Sequence, residues 1–321
     1  MTSPAPTVVL LAAGLGTRYG ALKQLDPVGP DGAAILDYTL ADAARAGFGR
    51  AVVVVRPEIA DRVADHLERT GAGGLPATLV HQSADSPMPP GMSPPAGRAK
   101  PWGTTHAVLA AGGELRGAFA VANADDHYGA AAWTCLAEWI VGGPHAAAPS
   151  GGPGVGTEDP DASAEDAAVV GYRLDATLSE HGGVSRALCE IDPSGRLRRI
   201  REATDVLRGP EGVIRGRVGG EERPFEPDAR VSMNLWGFRP PVLPVLEGAF
   251  GDFLAAGPEA GGELQLPEVL DAALTAGSLR ARLLPCGEAW FGITWPEDRP
   301  EVVRRLARRG PPGRDLSTGA S

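Results

Sequence analysis

Residues 7–13, Thr-Val-Val-Leu-Leu-Ala-Ala, form an uninterrupted apolar run that stops at Gly14 and gives way to Gly16, Thr17, Arg18 and Gly20. A strand with no polar alternation is covered on both faces, as in a parallel sheet with helices on either side. Glycines directly after such a strand let backbone N–H groups close on a phosphate that a Cβ would hold off. Together these features restrict the chain to an open α/β architecture with a site at the end of its first strand.

The pattern continues downstream. Helices are expected over 37–46 (ended by Gly47), 58–69, 104–111 and 130–140, alternating with strands over 51–55, 77–81 and 118–123. Strand, helix, strand, helix, strand is the order of a mostly parallel sheet. The second half changes character, with strands over 169–174, 185–191, 197–202 and 231–238, then helices over 242–256, 268–276 and 299–309. Two stretches interrupt the order. Residues 83–100 carry Pro-Met-Pro-Pro-Gly-Met-Ser-Pro-Pro and read as an exposed loop that could act as a lid; residues 142–165 read as a flexible insertion.

Composition excludes several classes. At 321 residues, 43% apolar and 22% charged, the chain is a globular protein able to bury roughly 75% of its unfolded surface. No apolar run reaches the roughly 18 residues of a membrane span, and the opening lacks the basic start of a secretory signal, so a cytoplasmic location is expected. Cys135, Cys189 and Cys286 then read as reduced core residues. A net charge of -10 argues against nucleic acid or an anionic membrane as partner, while a few cations in one cleft could still hold a phosphate. The arginines at 304, 305, 308 and 309 read as a solvated helix end.

Certain residue types are scarce. The 30 basic residues include only two lysines, Lys23 and Lys100; there are two asparagines, Asn123 and Asn234, and three glutamines, Gln24, Gln82 and Gln265. Where a biased chain keeps a residue it otherwise avoids, chemistry is a candidate reason. Gln265 alone falls outside the segments that carry motifs.

The glycine-rich loop fits neither common phosphate motif. A dinucleotide fingerprint would need its third glycine one residue before Gly20, and a P-loop needs Gly-Lys-Ser/Thr, which residues 20–23 do not supply. Gly-x-Gly-Thr-Arg with a lysine a few residues on instead resembles the signature of the sugar-phosphate nucleotidyltransferases, which join an NTP and a sugar 1-phosphate to give an NDP-sugar and pyrophosphate. The resemblance implies a Rossmann-like three-layer α/β/α fold with a mostly parallel mixed central sheet. It also implies a single domain over 1–305, made of an NTP-binding half (7–141), the insertion (142–165) and a sugar-binding half (166–305), followed by a disordered tail (306–321).

Site residues follow by the same resemblance. Ala13, Gly14, Gly16 and Thr17 would wrap the triphosphate, with Arg18 and Lys23 neutralising charge around the α-phosphorus. Gln82, Gly103 and Thr104 would contact the nucleobase, Gln82 leaning the choice towards UTP or dTTP. Scarcity gives Lys100, beside Gly103, a claim to the phosphate site. In Phe-Ala-Val-Ala-Asn-Ala-Asp-Asp, residues 119–126, two acids end a buried strand at the sheet edge where ligands bind; Asp125 matches the family's Mg²⁺-holding aspartate and Asp126 is the adjacent alternative. The other reading of these acids is that they favour the start of the helix after Gly129.

Gly171, Glu202 and Asn234 fall where the resembled enzymes contact the sugar. The family often follows that glutamate with a lysine for the sugar phosphate; here Ala203 stands in its place, with Arg201, Arg186 or Arg230 as substitutes. Near the C-terminus the family's second metal aspartate is replaced by Gly292, so that either Asp298 or Glu297 supplies a carboxylate from a shifted position or the metal has one protein ligand and more water, and Asp298 also reads as a helix N-cap. The expected ligands are therefore Mg²⁺, a nucleoside triphosphate and a sugar 1-phosphate. Two alternatives stay open: a cytidylyl- or guanylyltransferase acting on a non-sugar phosphate or phosphonate, and a nucleotide-binding regulatory protein without catalysis.

Overall fold

The computed structural model describes residues 4–14, 22–142, 165–259 and 261–312. Gly16, Thr17 and Arg18, most of the 142–165 insertion and the end of the tail lie outside the described residues. In chain order the first half contains β1 (Thr7–Leu11), α1 (Ile35–Arg45), β2 (Arg50–Val55), α2 (Ala60–Thr70), β3 (Ala77–His81), α3 (Thr104–Ala111), β4 (Phe119–Asn123), the two-residue β5 (Asp126–His127) and α4 (Ala130–Val141). The second half contains β6 (Ala167–Arg173), β7 (Val184–Ile191), β8 (Arg196–Arg208), β9 (Ile214–Val218), β10 (Glu221–Phe225), β11 (Arg230–Phe238), α5 (Val242–Ala255), α6 (Leu266–Ala276), β12 (Ala281–Pro285), β13 (Phe291–Gly292) and α7 (Arg299–Arg309).

One 11-stranded sheet runs in the order β10-β9-β8-β12-β6-β11-β4-β1-β2-β3, with β7 bridging β11 and β8. β3, β2, β1 and β4 are mutually parallel, and β11 is the antiparallel insert that joins them to the parallel pair β6 and β12. The continuous apolar character of β1 has a direct cause. Val8 and Leu10 enter the core shared with α1, α2 and α4, while Val9 enters the one shared with α3, α5 and α6, and all three are fully buried. Helices on both faces make three layers, as the sequence implies.

Register places the site. Leu11 pairs with Val54 on one side and Asn123 on the other, and Val55 pairs with His81. The four parallel strands therefore end level, and Ala12 to Gly14, Arg56, Gln82 and Ala124 to Asp126 emerge along one C-terminal edge, where open α/β sheets bind ligands. Across that edge β5 pairs with β13, setting Gly292 opposite Asp126.

Two expectations need correction. β8, expected over 197–202, continues to Arg208 and forms with β9 and β10 an antiparallel extension. α7 continues through Arg309, four residues past the expected end of the domain, because Leu306 is buried and Arg309 donates to the Asp42 carboxylate of α1. The proline-rich segment is a largely exposed loop, as expected, held near its two ends: Trp102 Nε1 donates to Ala84 O (2.7 Å), His106 Nε2 to Pro87 O (2.8 Å) and Arg98 Nη2 to Gly262 O (2.7 Å).

Candidate active site

At the edge, Lys23 Nζ donates to Asp125 Oδ2 at 2.7 Å, joining the turn after the glycine loop to the end of β4. Asp125 Oδ1 has no partner among the described residues, and the carboxylate remains 30% exposed. Neither acid of the 125–126 pair serves the next helix. The N-terminus of α4 is held by Glu288, whose Oε2 accepts from Ala131 N at 2.9 Å. That removes the helix-start reading of Asp125.

Asp126 has a different environment. It is buried, its Oδ2 accepts from Asn123 Nδ2 at 2.8 Å, and Asn123 Oδ1 accepts in turn from Asn234 Nδ2 at 2.8 Å. Burial, and then the like charge of Asp125, push the Asp126 carboxyl above the usual carboxylate range. Tyr128 braces the same knot by accepting from Asn123 N (2.9 Å) and donating to Met233 O (3.0 Å). Both asparagines of the chain thus link β4 to β11. Asn234 holds a left-handed backbone (φ 65°) with its Oδ1 buried and unpartnered.

The last described residue before the glycine loop, Gly14, is held by a side chain. Gln24, almost fully buried, donates from Nε2 to Gly14 O at 2.7 Å. On the far side of the edge, Gln82 Nε2 donates both to Gly103 O (2.9 Å) and to His106 Nδ1 (3.1 Å). Because His106 Nε2 donates to Pro87 O, its Nδ1 is the acceptor, and both Gln82 N–H groups are used. The polar atom that Gln82 has left is its carbonyl oxygen, an acceptor.

His106 is held neutral by burial, which pushes its pKa down to about 4, with Arg98 acting in the same direction and the Pro87 bond opposing. The unfolded chain takes up this proton near pH 6.5, and the folded protein refuses it until about pH 4. Stability is therefore lost as pH falls through that window, by up to about 3 kcal/mol. Urea unfolding of His106→Asn should show a shallower loss of stability between pH 6.5 and 4 than the wild type. An unchanged slope would remove His106 from the account.

The remaining expected residues are placed differently. Lys100 is paired with Glu263 (3.0 Å) and is half-exposed. Glu263 Oε2 also accepts from Gln265 Nε2 (2.9 Å), and Thr104 Oγ1 lies 3.1 Å from Gln265 Oε1. Gln265, outside every motif in the sequence, belongs to this cluster. Gly171 packs on Leu283 so closely that a Cβ would lie 2.7 Å from that side chain. Glu202 is exposed on the face of β8 opposite to Ala203, without a partner among the described residues.

Asp298 closes its own turn. Oδ1 accepts from Ser179 Oγ (2.8 Å), and Oδ2 from the backbone N–H of Thr294 (3.0 Å) and Trp295 (2.7 Å). Glycine at 292 also has a physical reason, since a Cβ there would stand 2.6 Å from Asp126 Oδ1. Directly across the β7–β8 ladder from Ala203 stands Arg186. Burial pushes this arginine down to about 10, with Asp126 and Asp298 acting in the opposite direction.

The chemistry of this edge suits a hard divalent cation that completes its shell with phosphate oxygens. Asp125 offers one exposed carboxylate oxygen, and no group of three or more Asp, Glu, His or Cys residues forms a protein cage among the described residues. Mg²⁺ commonly takes one or two carboxylates together with substrate phosphates, so the residues fit it. No helix of the described residues is long and apolar enough to cross a membrane.

Residues 8–125, the segment from β1 to Asp125, match the family model of the MobA-like NTP transferase domain. Similar solved structures include the inositol-1-phosphate CTP transferase from T. maritima (14% identity, TM-score 0.58, covering 95% of this chain and 98% of that one). HddC from Yersinia pseudotuberculosis (14%, 0.54, 94% and 99%) and a UDP-glucose pyrophosphorylase complexed with UDP-glucose (14%, 0.57, 95% and 100%) are also similar. At this identity the structural likeness establishes the fold. No curated protein matches the sequence.

Proposed function

We propose that this chain, which carries a nucleotidyltransferase domain of the MobA-like type, transfers a nucleotidyl group from an NTP to a sugar 1-phosphate and releases pyrophosphate. The observation that carries the reading is the Lys23–Asp125 pair beside the glycine-rich turn, a cation and an exposed carboxylate at the level end of four parallel strands with no structural duty to a neighbouring helix. The similarity to an inositol-1-phosphate CTP transferase and a UDP-glucose pyrophosphorylase supports a phosphorylated polyol or sugar as acceptor.

In this reaction an oxygen of the acceptor phosphate forms a bond to the α-phosphorus in line with the bond to the β-phosphate bridge, which breaks with its electron pair passing to pyrophosphate. The attacking phosphate is already ionised, so no general base is needed. The protein's part is positioning and charge stabilisation. Ala13 and Gly14 bring backbone to the triphosphate, and Gln24 fixes that backbone by holding Gly14 O. Lys23 uses one of its three N–H groups on Asp125 and keeps two for phosphate oxygens. By resemblance Gly16, Thr17 and Arg18 complete the triphosphate site. Bound Mg²⁺, held by Asp125, would supply Lewis-acid charge at the α-phosphate. The Gln82 carbonyl, left as an acceptor, suits the N3–H of uracil or thymine, which favours UTP or dTTP.

The test is a panel of each NTP against sugar and polyol 1-phosphates with pyrophosphate as readout. Turnover with a sugar 1-phosphate, best with UTP or dTTP, is the expected result. Tight NTP binding without turnover across the panel would overturn the enzymatic reading, and turnover confined to phosphonates or non-sugar phosphates would overturn the acceptor.

A further inference from the structure

Arg186 is 6% exposed, yet no carboxylate of the described residues lies within ion-pair distance of it. Its described partners are neutral. Nε donates to Thr177 O (3.0 Å) and Thr177 Oγ1 (3.1 Å), Nη1 to Ser185 O (2.7 Å), and Nη2 to Thr177 O. A guanidinium carries five N–H groups, so one on each Nη has no described partner. Burying such a charge without a counterion costs several kcal/mol, a cost that a bound anion would offset.

The guanidinium lines a cavity of about 90 Å³ together with Ser179, Trp290, Gly292, Thr294 and Asp298. By the measure in which a water needs roughly 10–15 Å³, that space takes a group of about six heavy atoms, and a phosphate has five. The acidic groups in the wall are already engaged: Asp298 accepts three hydrogen bonds, and Glu301 is paired with Arg304 and Arg305. The unspent donors there are two N–H groups of Arg186, the buried indole N–H of Trp290 and the terminal N–H groups of Arg305, which have no partner among the described residues. The Trp290 ring lies 5.0 Å from the Arg186 guanidinium carbon. Gly292 connects the cavity to the reacting edge, since its Cβ position lies 3.2 Å from Asp125 O.

We propose that this cavity seats the phosphate of the acceptor, with Arg186 as its counterion and Thr294 as a hydroxyl contact beside it. The inference rests on the nucleotidyl-transfer reading and adds to it the residue that discriminates a phosphorylated acceptor from its unphosphorylated polyol.

The test titrates the full chain with inorganic phosphate and with a hexose 1-phosphate, in the wild type, Arg186→Met and Arg186→Lys, alongside NTP titrations. Loss of a charge-assisted contact predicts a 10- to 100-fold weaker affinity for both phosphates in Arg186→Met, roughly. Arg186→Lys should be intermediate, and NTP affinity should change less than about threefold, an amount worth ~0.7 kcal/mol. Should Arg186→Met fail to fold, Arg186→Lys and Thr294→Val carry the measurement. Unchanged phosphate affinity in the Lys variant, or phosphate that competes with NTP, would overturn the site. If the wild type shows no pyrophosphate release but Arg186-dependent phosphate binding persists, the transfer reading fails and the anion site stands. If turnover persists in Arg186→Lys with an unmoved acceptor KM, the site fails and the transfer reading stands.

Discussion

Asp125→Asn is expected to lower Mg²⁺-dependent pyrophosphate release by roughly 10³-fold or more, and Lys23→Met by about 10²–10³, the cost of removing one preorganised charge from a phosphoryl-transfer site. Both substitutions should leave the fold intact. The Asp125 side chain has Lys23 as its only partner among the described residues, and the pair is partly solvated, so its contribution to stability is about 1 kcal/mol or less. Asp126→Asn serves as the contrast. Its carboxyl is buried and spends Oδ2 on Asn123, so it affects the position of β4 against β11 more than the charge presented to a nucleotide. The measurement is initial rate against Mg²⁺ concentration, with circular dichroism as the folding control. Wild-type rates in both Asp125→Asn and Lys23→Met would end the assignment of this edge as the reacting site.

In the first half β1, β2 and β4 were legible because they are buried on both faces and so announce themselves by local composition, whereas β3 is the partly exposed edge strand. β3 and α3 fall at their expected bounds, and β1, β2 and β4 within a residue or two of them. β9 and β10 were not legible. Ile-Arg-Gly-Arg-Val and Glu-Glu-Arg-Pro-Phe have little apolar content, and they are strands only because β8 runs on to pair with β9. β13 is two residues long and exists by pairing with β5.

The same distinction applies to the site. Scarcity pointed to side chains that the fold brings into contact, since Asn123 and Asn234 bond to each other, Gln24 holds Gly14, and Lys23 holds Asp125. It could not state what each does. Gln82 spends its amide N–H groups on Gly103 and His106, and Lys100 is paired with Glu263. His106 carried no signal beyond its nearness to a motif, and its role depends on Pro87 across a proline-rich loop. Arg186 opposite Ala203 is a fact of strand register, which no local pattern contains.

Gly103→Ala should cost about 3 kcal/mol of stability and weaken NTP binding by roughly tenfold, through one backbone position that serves both. Gly103 has φ +93° and ψ -169°, a region occupied almost only by glycine. Its Cβ would also stand 2.7 Å from Leu264 O and 3.0 Å from Leu264 N. Leu264 has little freedom to yield, because its N–H donates to Trp102 O (2.8 Å) and its carbonyl accepts from Thr105 N (3.2 Å). Any shift also moves Thr104, whose Oγ1 accepts from Leu266 N at 2.7 Å, so the N-termini of α3 and α6 separate together. The Gly103 carbonyl moves with them and releases Gln82, which loses the anchor that holds its free oxygen at the proposed base site. Gly47→Ala supplies the control: φ there is +95°, but nothing stands within 4 Å of the added Cβ. Strain alone should cost that variant about 1 kcal/mol, with NTP affinity unchanged. Urea unfolding and NTP titration of the two variants separate the contributions, and equal small losses in both would mean that the Gly103–Leu264 contact does not hold the base-binding end of the edge in place.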